Sequence, residues 1–178
     1  LRDPIDALIS LYNFFDGWLM EPGCIEFEEF AVDHYLARNP PNNYWHHLVS
    51  WYQQRDNSNL LLLCYEQLKA DFDKQLPEIS RFLGIELDSE LADTVTRQSS
   101  MEFMRKHDQH FDDHYLRSKR EAAGALPLGS NSSKVNRGDS RVSRKDVSEN
   151  IEKLMNQRWR EFVTPQLGFH DYKELLAS

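Results

Sequence analysis

Arg2 and Ser10, near the start of the chain, are spaced to grip an anion. Arg2 stands just ahead of Asp3-Pro4, where a helix begins. Asp3 suits the cap, Pro4 the first helical position, and Asp6 falls in the first turn. A helix N-terminus presents free N–H groups and the positive end of its dipole. Arg2 adds a planar guanidinium fork that matches phosphate oxygens. Ser10 lies roughly 10 Å along the helix at ~1.5 Å per residue, so a phosphate beside the first two turns meets both side chains. An ordinary capped helix with a surface arginine needs the same residues, and spacing alone favours that plainer reading.

Other chemistries are thinner. His107, His110 and His114 stand among Asp108, Asp112 and Asp113, and histidines at i and i+4 share a helix face that could bind a metal. Solvated side chains account for them adequately, and no metal is expected. No G-x-S-x-G elbow and no G-x-x-x-x-G-K-[ST] loop occurs. Lys plus Arg is 21 against 29 for Asp plus Glu, a net charge of −8 over 178 residues. That balance argues against broad nucleic-acid binding, yet leaves room for one small anion in a local basic pocket. No apolar run approaches the roughly 18 residues of a membrane span. Leu1-Arg2-Asp3-Pro4 does not open a signal peptide. Cys24 and Cys64 lack metal spacing and read as reduced thiols of a cytoplasmic protein, with a single disulfide left open.

The elements that must position these groups are mostly helices. Ile5, Leu8, Ile9, Tyr12, Phe15 and Leu19 recur at helical spacing until Glu21-Pro22-Gly23 stops them. Amphipathic segments follow over Phe27 to Ala37 and Tyr44 to Arg55. Leu60-Leu61-Leu62-Leu63-Cys64-Tyr65 is a continuous apolar run, the pattern of a strand covered on both faces. Helical patterns return over Asp71 to Leu83, stopped by Gly84 and interrupted by Pro77, and over Ser89 to Arg97. Residues 122–146 read as a long loop, and a last helix carries Val147, Ile151, Leu154, Met155, Arg158 and Phe162. One strand cannot make a sheet. The chain also lacks an opening Met and starts on what reads as a strand-to-helix junction. It therefore reads as an α/β fragment, the C-terminal part of a longer protein.

The segment Arg2-Asp3-Pro4-Ile5-Asp6-Ala7-Leu8-Ile9-Ser10-Leu11-Tyr12-Asn13-Phe14 resembles the R-[ND]-P-x-D-x-x-x-S-x-Y-x-F segment of the sulfotransferase family. Tyr44, His47 and Trp51 follow that family's W-x-x-H-x-x-x-W pattern, with Tyr in place of the first Trp, though helix packing is the preferred account of them. Cys64-Tyr65-Glu66 is similar to its strand ending in Y-E, and Phe82-Leu83-Gly84 also fits. Ser99-Ser100-Met101-Glu102-Phe103-Met104 resembles T-S-F-x-x-M, with Met101 losing the aromatic plane. Lys134-Val135-Asn136-Arg137-Gly138-Asp139 stands where the family has R-K-G-x-x-G-D-W. A solvated basic loop containing Arg141, Arg144 and Lys145 is the plainer account of that stretch.

The resemblance implies the C-terminal portion of a P-loop-NTPase-like three-layer α/β domain over residues 1–178, mostly helical with one buried strand. It implies 3′-phosphoadenosine 5′-phosphosulfate as donor and a small hydroxyl or amine acceptor. The 3′-phosphate would meet Arg2, Ser10, Arg137 and Gly138, and adenine would meet Tyr65, Ser99 and Met101. The family's catalytic Lys and His belong upstream of Arg2, and no P-K-[ST]-G-T-T-W motif occurs. The chain alone is thus expected to be inactive, and the alternative is a non-catalytic, truncated sulfotransferase-like binding module. The acceptor and the oligomeric state stay open, since the dimer motif K-x-x-x-T-V-x-x-x-E is absent.

Overall fold

A computed structural model describes residues 1–38, 40–124, 133–135 and 141–178. Helices dominate. They are α1 (Pro4–Phe15), α2 (Phe27–Glu29, continuing as a π-helix over Phe30–Leu36), α3 (Tyr44–Tyr52) and α4 (Tyr65–Ala70). Next come α5 (Phe72–Leu83), α6 (Ser89–Gln98), α7 (Met101–Lys106) and α8 (His114–Ala122). The chain closes with α9 (Glu149–Phe162), α10 (Thr164–Leu167) and α11 (Tyr172–Ala177).

The core forms where the helical spacing placed the apolar residues. Ile5, Leu8 and Tyr12 of α1 are buried against Phe30, Ala31 and Tyr35, against Trp45, Leu48 and Val49 of α3, and against Ile151, Met155 and Trp159 of α9. Tyr12 meets Phe27 and Phe30 edge-on at 5.3 and 5.4 Å, the arrangement aromatic quadrupoles favour. Gly84 ends α5 at φ +68°, where a Cβ would be strained. Pro77 stands in the middle of α5 without ending it, where it removes one rung of the helix. No residue between 65 and 124 joins this cluster; Leu76 is buried apart from it, and Phe82, Leu83 and Ile85 are exposed there.

The expected α/β architecture is not what the chain adopts. Among the described residues there is no β-strand and no three-layer sheet. The bridges are two isolated ones, Asp16 with Met20 and Asp112 with Ser133. Leu60–Cys64 is an irregular, half-buried segment, and Tyr65 already opens α4. The reason is pairing. The Leu1 amino group donates to the Leu63 carbonyl at 2.5 Å, and the Tyr65 N–H donates to the Leu1 carbonyl at 2.8 Å. That is one parallel-type contact. The N–H groups of Leu61 to Cys64 have no backbone partner among the described residues, so no ladder forms. An unbroken leucine run reports affinity for an apolar environment, not the presence of a neighbouring strand.

Trp45 is 1% exposed, yet its indole N–H has no hydrogen-bond partner among the described residues. Trp45→Phe therefore removes an unsatisfied donor along with some packing. The two effects oppose, so urea denaturation is expected to show a loss under about 1 kcal/mol, well below the ~3–5 kcal/mol of a Trp→Ala truncation. A loss as large as the truncation's would mean the indole N–H is satisfied after all.

Candidate anion site

Asp3 caps α1, its Oδ1 accepting from the Ile5 N–H at 2.9 Å and the Asp6 N–H at 3.1 Å. Pro4 has no N–H to offer, and the Ala7 N–H donates to the Asp3 carbonyl. The helix N-terminus is thus already saturated, and by a carboxylate. Attraction for an external anion has to come from side chains.

Arg2 supplies it. Its guanidinium carbon lies 4.5 Å from the centroid of the Tyr65 ring. Among the described residues its buried Nε has no hydrogen-bond partner and the guanidinium has no carboxylate. The Lys69 ammonium lies 5.9 Å from the same ring, since α4 sets Tyr65 and Lys69 one turn apart on one face. Tyr65 is 41% exposed, so the ring is open to solvent. Two cations around an exposed aromatic ring suit an anionic group carried on a planar one.

The backbone beneath this cluster is pinned from several directions. The Tyr44 hydroxyl donates to the Arg2 carbonyl, and burial raises the Tyr44 phenol well above its ordinary range, keeping it a donor. The Asp3 N–H donates to Glu66 Oε1 at 2.8 Å, and the Tyr172 hydroxyl donates to Glu66 Oε2 at 2.6 Å. Burial, and then the hydrogen bond to Glu66, push the Tyr172 phenol upward as well.

Of the residues singled out by sequence, Arg2 and Tyr65 are in contact. Ser10 is exposed on α1 and makes no side-chain hydrogen bond among the described residues. It sits on a helical stripe with Asp3, Asp6 and Asn13, and the neighbours on that stripe are taken by another segment. Arg144 Nη1 bridges Asp3 and Asp6 at 2.7 and 2.9 Å. The Asn13 amide donates to the Val142 carbonyl at 2.8 Å and accepts from the Val142 N–H at 3.1 Å. Arg141 reaches Asp16 at 3.3 Å and Glu26 at 3.4 Å. Ser99 and Met101 are exposed at the α6–α7 turn, and no hydrogen bond or ring contact joins them to Arg2 or Tyr65. Arg137 and Gly138 lie outside the described residues.

Lys69 and the docking of Arg141 and Arg144 were not anticipated. The stripe of Asp3, Asp6 and Asn13 was the available signal, because carboxylates three apart on an amphipathic helix call for a cation. Among the described residues no group of three or more His, Cys, Asp or Glu side chains could hold a metal, and His114 Nδ1 instead lies 2.6 Å from Asp112. A groove of about 520 Å³ between α5 and α6, lined by Asp73, Leu76, Thr96 and Arg97, includes none of the predicted site residues.

Comparison with known proteins bears on the chain as a whole. A family model described as a sulfotransferase domain matches residues 1–167. An amine sulfotransferase of Oryctolagus cuniculus is 30% identical over 105 residues, covering 58% of this chain and 35% of the relative. The luciferin sulfotransferase of Photinus pyralis is 26% identical over 107 residues, covering 60% and 28%. Among solved structures, retinol dehydratase with androsterone and the inactive cofactor PAP aligns with a TM-score of 0.65. That match has 19% identity and covers 92% of this chain and 47% of that one. A mouse sulfotransferase complexed with PAP aligns at 0.61, with 21% identity, 94% of this chain and 56% of that one. At such identities the likeness is one of fold. The chain spans about a third of the length of these curated relatives and about half of the solved chains. Among the described residues no helix is long and apolar enough to cross a membrane.

Proposed function

Because the chain belongs to the sulfotransferase domain family, we propose that it is a non-catalytic binding module of that family, holding a 3′-phosphorylated adenine nucleotide at Arg2 and Tyr65. The observation that carries this reading is the Arg2 guanidinium, lacking a carboxylate partner among the described residues and stacked on an exposed aromatic ring. A phosphate supplies the missing charge-assisted partner, and Tyr65 offers a flat apolar face beside it. Two relatives of the same fold are structures with PAP, which is consistent with a phosphate-bearing ligand here.

We assign no chemistry to the described residues around Arg2. Sulfuryl transfer needs charge neutralisation at the transferring group and a base for the acceptor proton. Glu66, next to Tyr65 in the chain, is occupied on both oxygens. The family's lysine loop and histidine have no recognisable motif in these residues. Placed within a longer chain, as the greater length of the curated relatives suggests, the module would supply the 3′-phosphate and adenine half of a donor site. The remainder would then direct the sulfuryl group to a hydroxyl or amine acceptor.

The test is turnover. This chain, incubated with 3′-phosphoadenosine 5′-phosphosulfate and either a simple phenol or an alkylamine, is expected to leave the donor intact by mass spectrometry. Catalytic accumulation of a sulfated product would overturn the non-catalytic reading.

A further inference from the structure

Arg2 belongs to no helix, so its aim depends on the backbone on either side of it. Leu1 is held by residues 63 and 65, and the Arg2 carbonyl by Tyr44. The Asp3 N–H is held by a side chain, that of Glu66. A glutamate has three side-chain torsions, and alone it would hold that N–H loosely. It is held at its other oxygen by the hydroxyl of Tyr172, 106 residues away in sequence. Tyr172 is itself fixed. It is 6% exposed and meets the Trp159 ring edge-on at 6.2 Å. The helix it opens is capped by Asp171, which accepts from the Glu174 N–H at 2.9 Å. A second tie runs alongside, from the Gln67 side-chain amide to the Leu176 carbonyl at 3.1 Å.

We infer that the C-terminal helix α11 sets the aim of Arg2 through Tyr172 and Glu66, which makes both of them positioning residues of the candidate anion site; this rests on the reading of Arg2 given above. The path is continuous in hydrogen bonds: Tyr172 hydroxyl to Glu66 Oε2, then Glu66 Oε1 from the Asp3 N–H. Asp3 follows Arg2 in the chain, and Tyr65 precedes Glu66. Fixing one carboxylate therefore steadies both partners of the cation–ring stack. Tyr172→Phe removes the hydroxyl and keeps the ring packed on Trp159. Glu66→Met keeps the length of the side chain and removes both acceptor oxygens. Tyr172→Phe leaves one end of the path unmade, and Glu66→Met leaves both.

The experiment has two readouts on the nitrogen-15-labelled chain. The first needs no ligand: amide hydrogen exchange of Asp3, with Leu8 and Ile151 as core references. Tyr172→Phe and Glu66→Met are each expected to speed Asp3 exchange about tenfold or more while the core amides keep their rates, the effect of losing a bond to a charged group. The second is titration with adenosine 3′,5′-bisphosphate, for which both variants are expected to bind several-fold more weakly than the parent. Lys173→Ala, one residue along α11, is expected to match the parent. Unchanged Asp3 exchange in both variants overturns the inference. So does faster Asp3 exchange with undiminished nucleotide affinity. If Asp3 loosens but even the parent chain ignores the nucleotide, the coupling to α11 holds and the assignment of Arg2 as an anion site falls.

Discussion

Arg2→Ala is expected to weaken binding of adenosine 3′,5′-bisphosphate by roughly 10- to 150-fold, the range corresponding to about 1.5–3 kcal/mol for a lost hydrogen bond to a charged group. The effect is large because the guanidinium has no carboxylate of its own to pair with among the described residues, so no internal ion pair competes with a ligand for it. The fold should survive. Tyr44 holds the Arg2 carbonyl, which the substitution retains, and Arg2 is outside the buried core. Arg2→Lys should fall between, keeping the charge but losing the fork and the flat stack on Tyr65. Calorimetry with far-ultraviolet circular dichroism as the folding control checks all three proteins. An alanine variant that binds as the parent does would move the site elsewhere.

Trp159→Ala is expected to have the largest effect on stability, about 3–5 kcal/mol for truncating a fully packed tryptophan. Trp159 is 3% exposed on α9, donates from its indole nitrogen to the Phe169 carbonyl at 3.0 Å and packs edge-on against Tyr172. It joins α9 to the C-terminal tail. A loss of that size is a large fraction of the ~5–15 kcal/mol that stabilises ordinary domains. The urea midpoint should fall sharply with little change in slope. A loss below about 1 kcal/mol would mean that the tail does not depend on this contact.

Periodicity made the helical core legible. Ile5, Leu8 and Tyr12 repeat at helical spacing and are buried, as are Ile151 and Met155 of the last long helix. Local chemistry was equally readable: Asp3 caps α1, Pro4 begins it and Gly84 ends α5. Pairing was not. Leu60 to Cys64 has strand-like composition, but a strand is defined by its neighbour, and composition carries no information about that neighbour. The site divides along the same line. Arg2 and Tyr65 were both identified and do meet. The free helix N–H groups invoked for the anion are consumed by Asp3, the same residue that makes the helix start recognisable. The contact of Arg144 with Asp3 and Asp6 spans 141 and 138 residues, a separation no local pattern encodes.

The most direct measurement is a calorimetric titration of the unmodified chain with adenosine 3′,5′-bisphosphate and, separately, with adenosine. The account predicts saturable one-to-one binding of the bisphosphate that weakens as salt is raised, with adenosine bound far more weakly, because the Arg2 and Lys69 cations need an anion to act on. No binding of the bisphosphate, or equal affinity for adenosine, would contradict it.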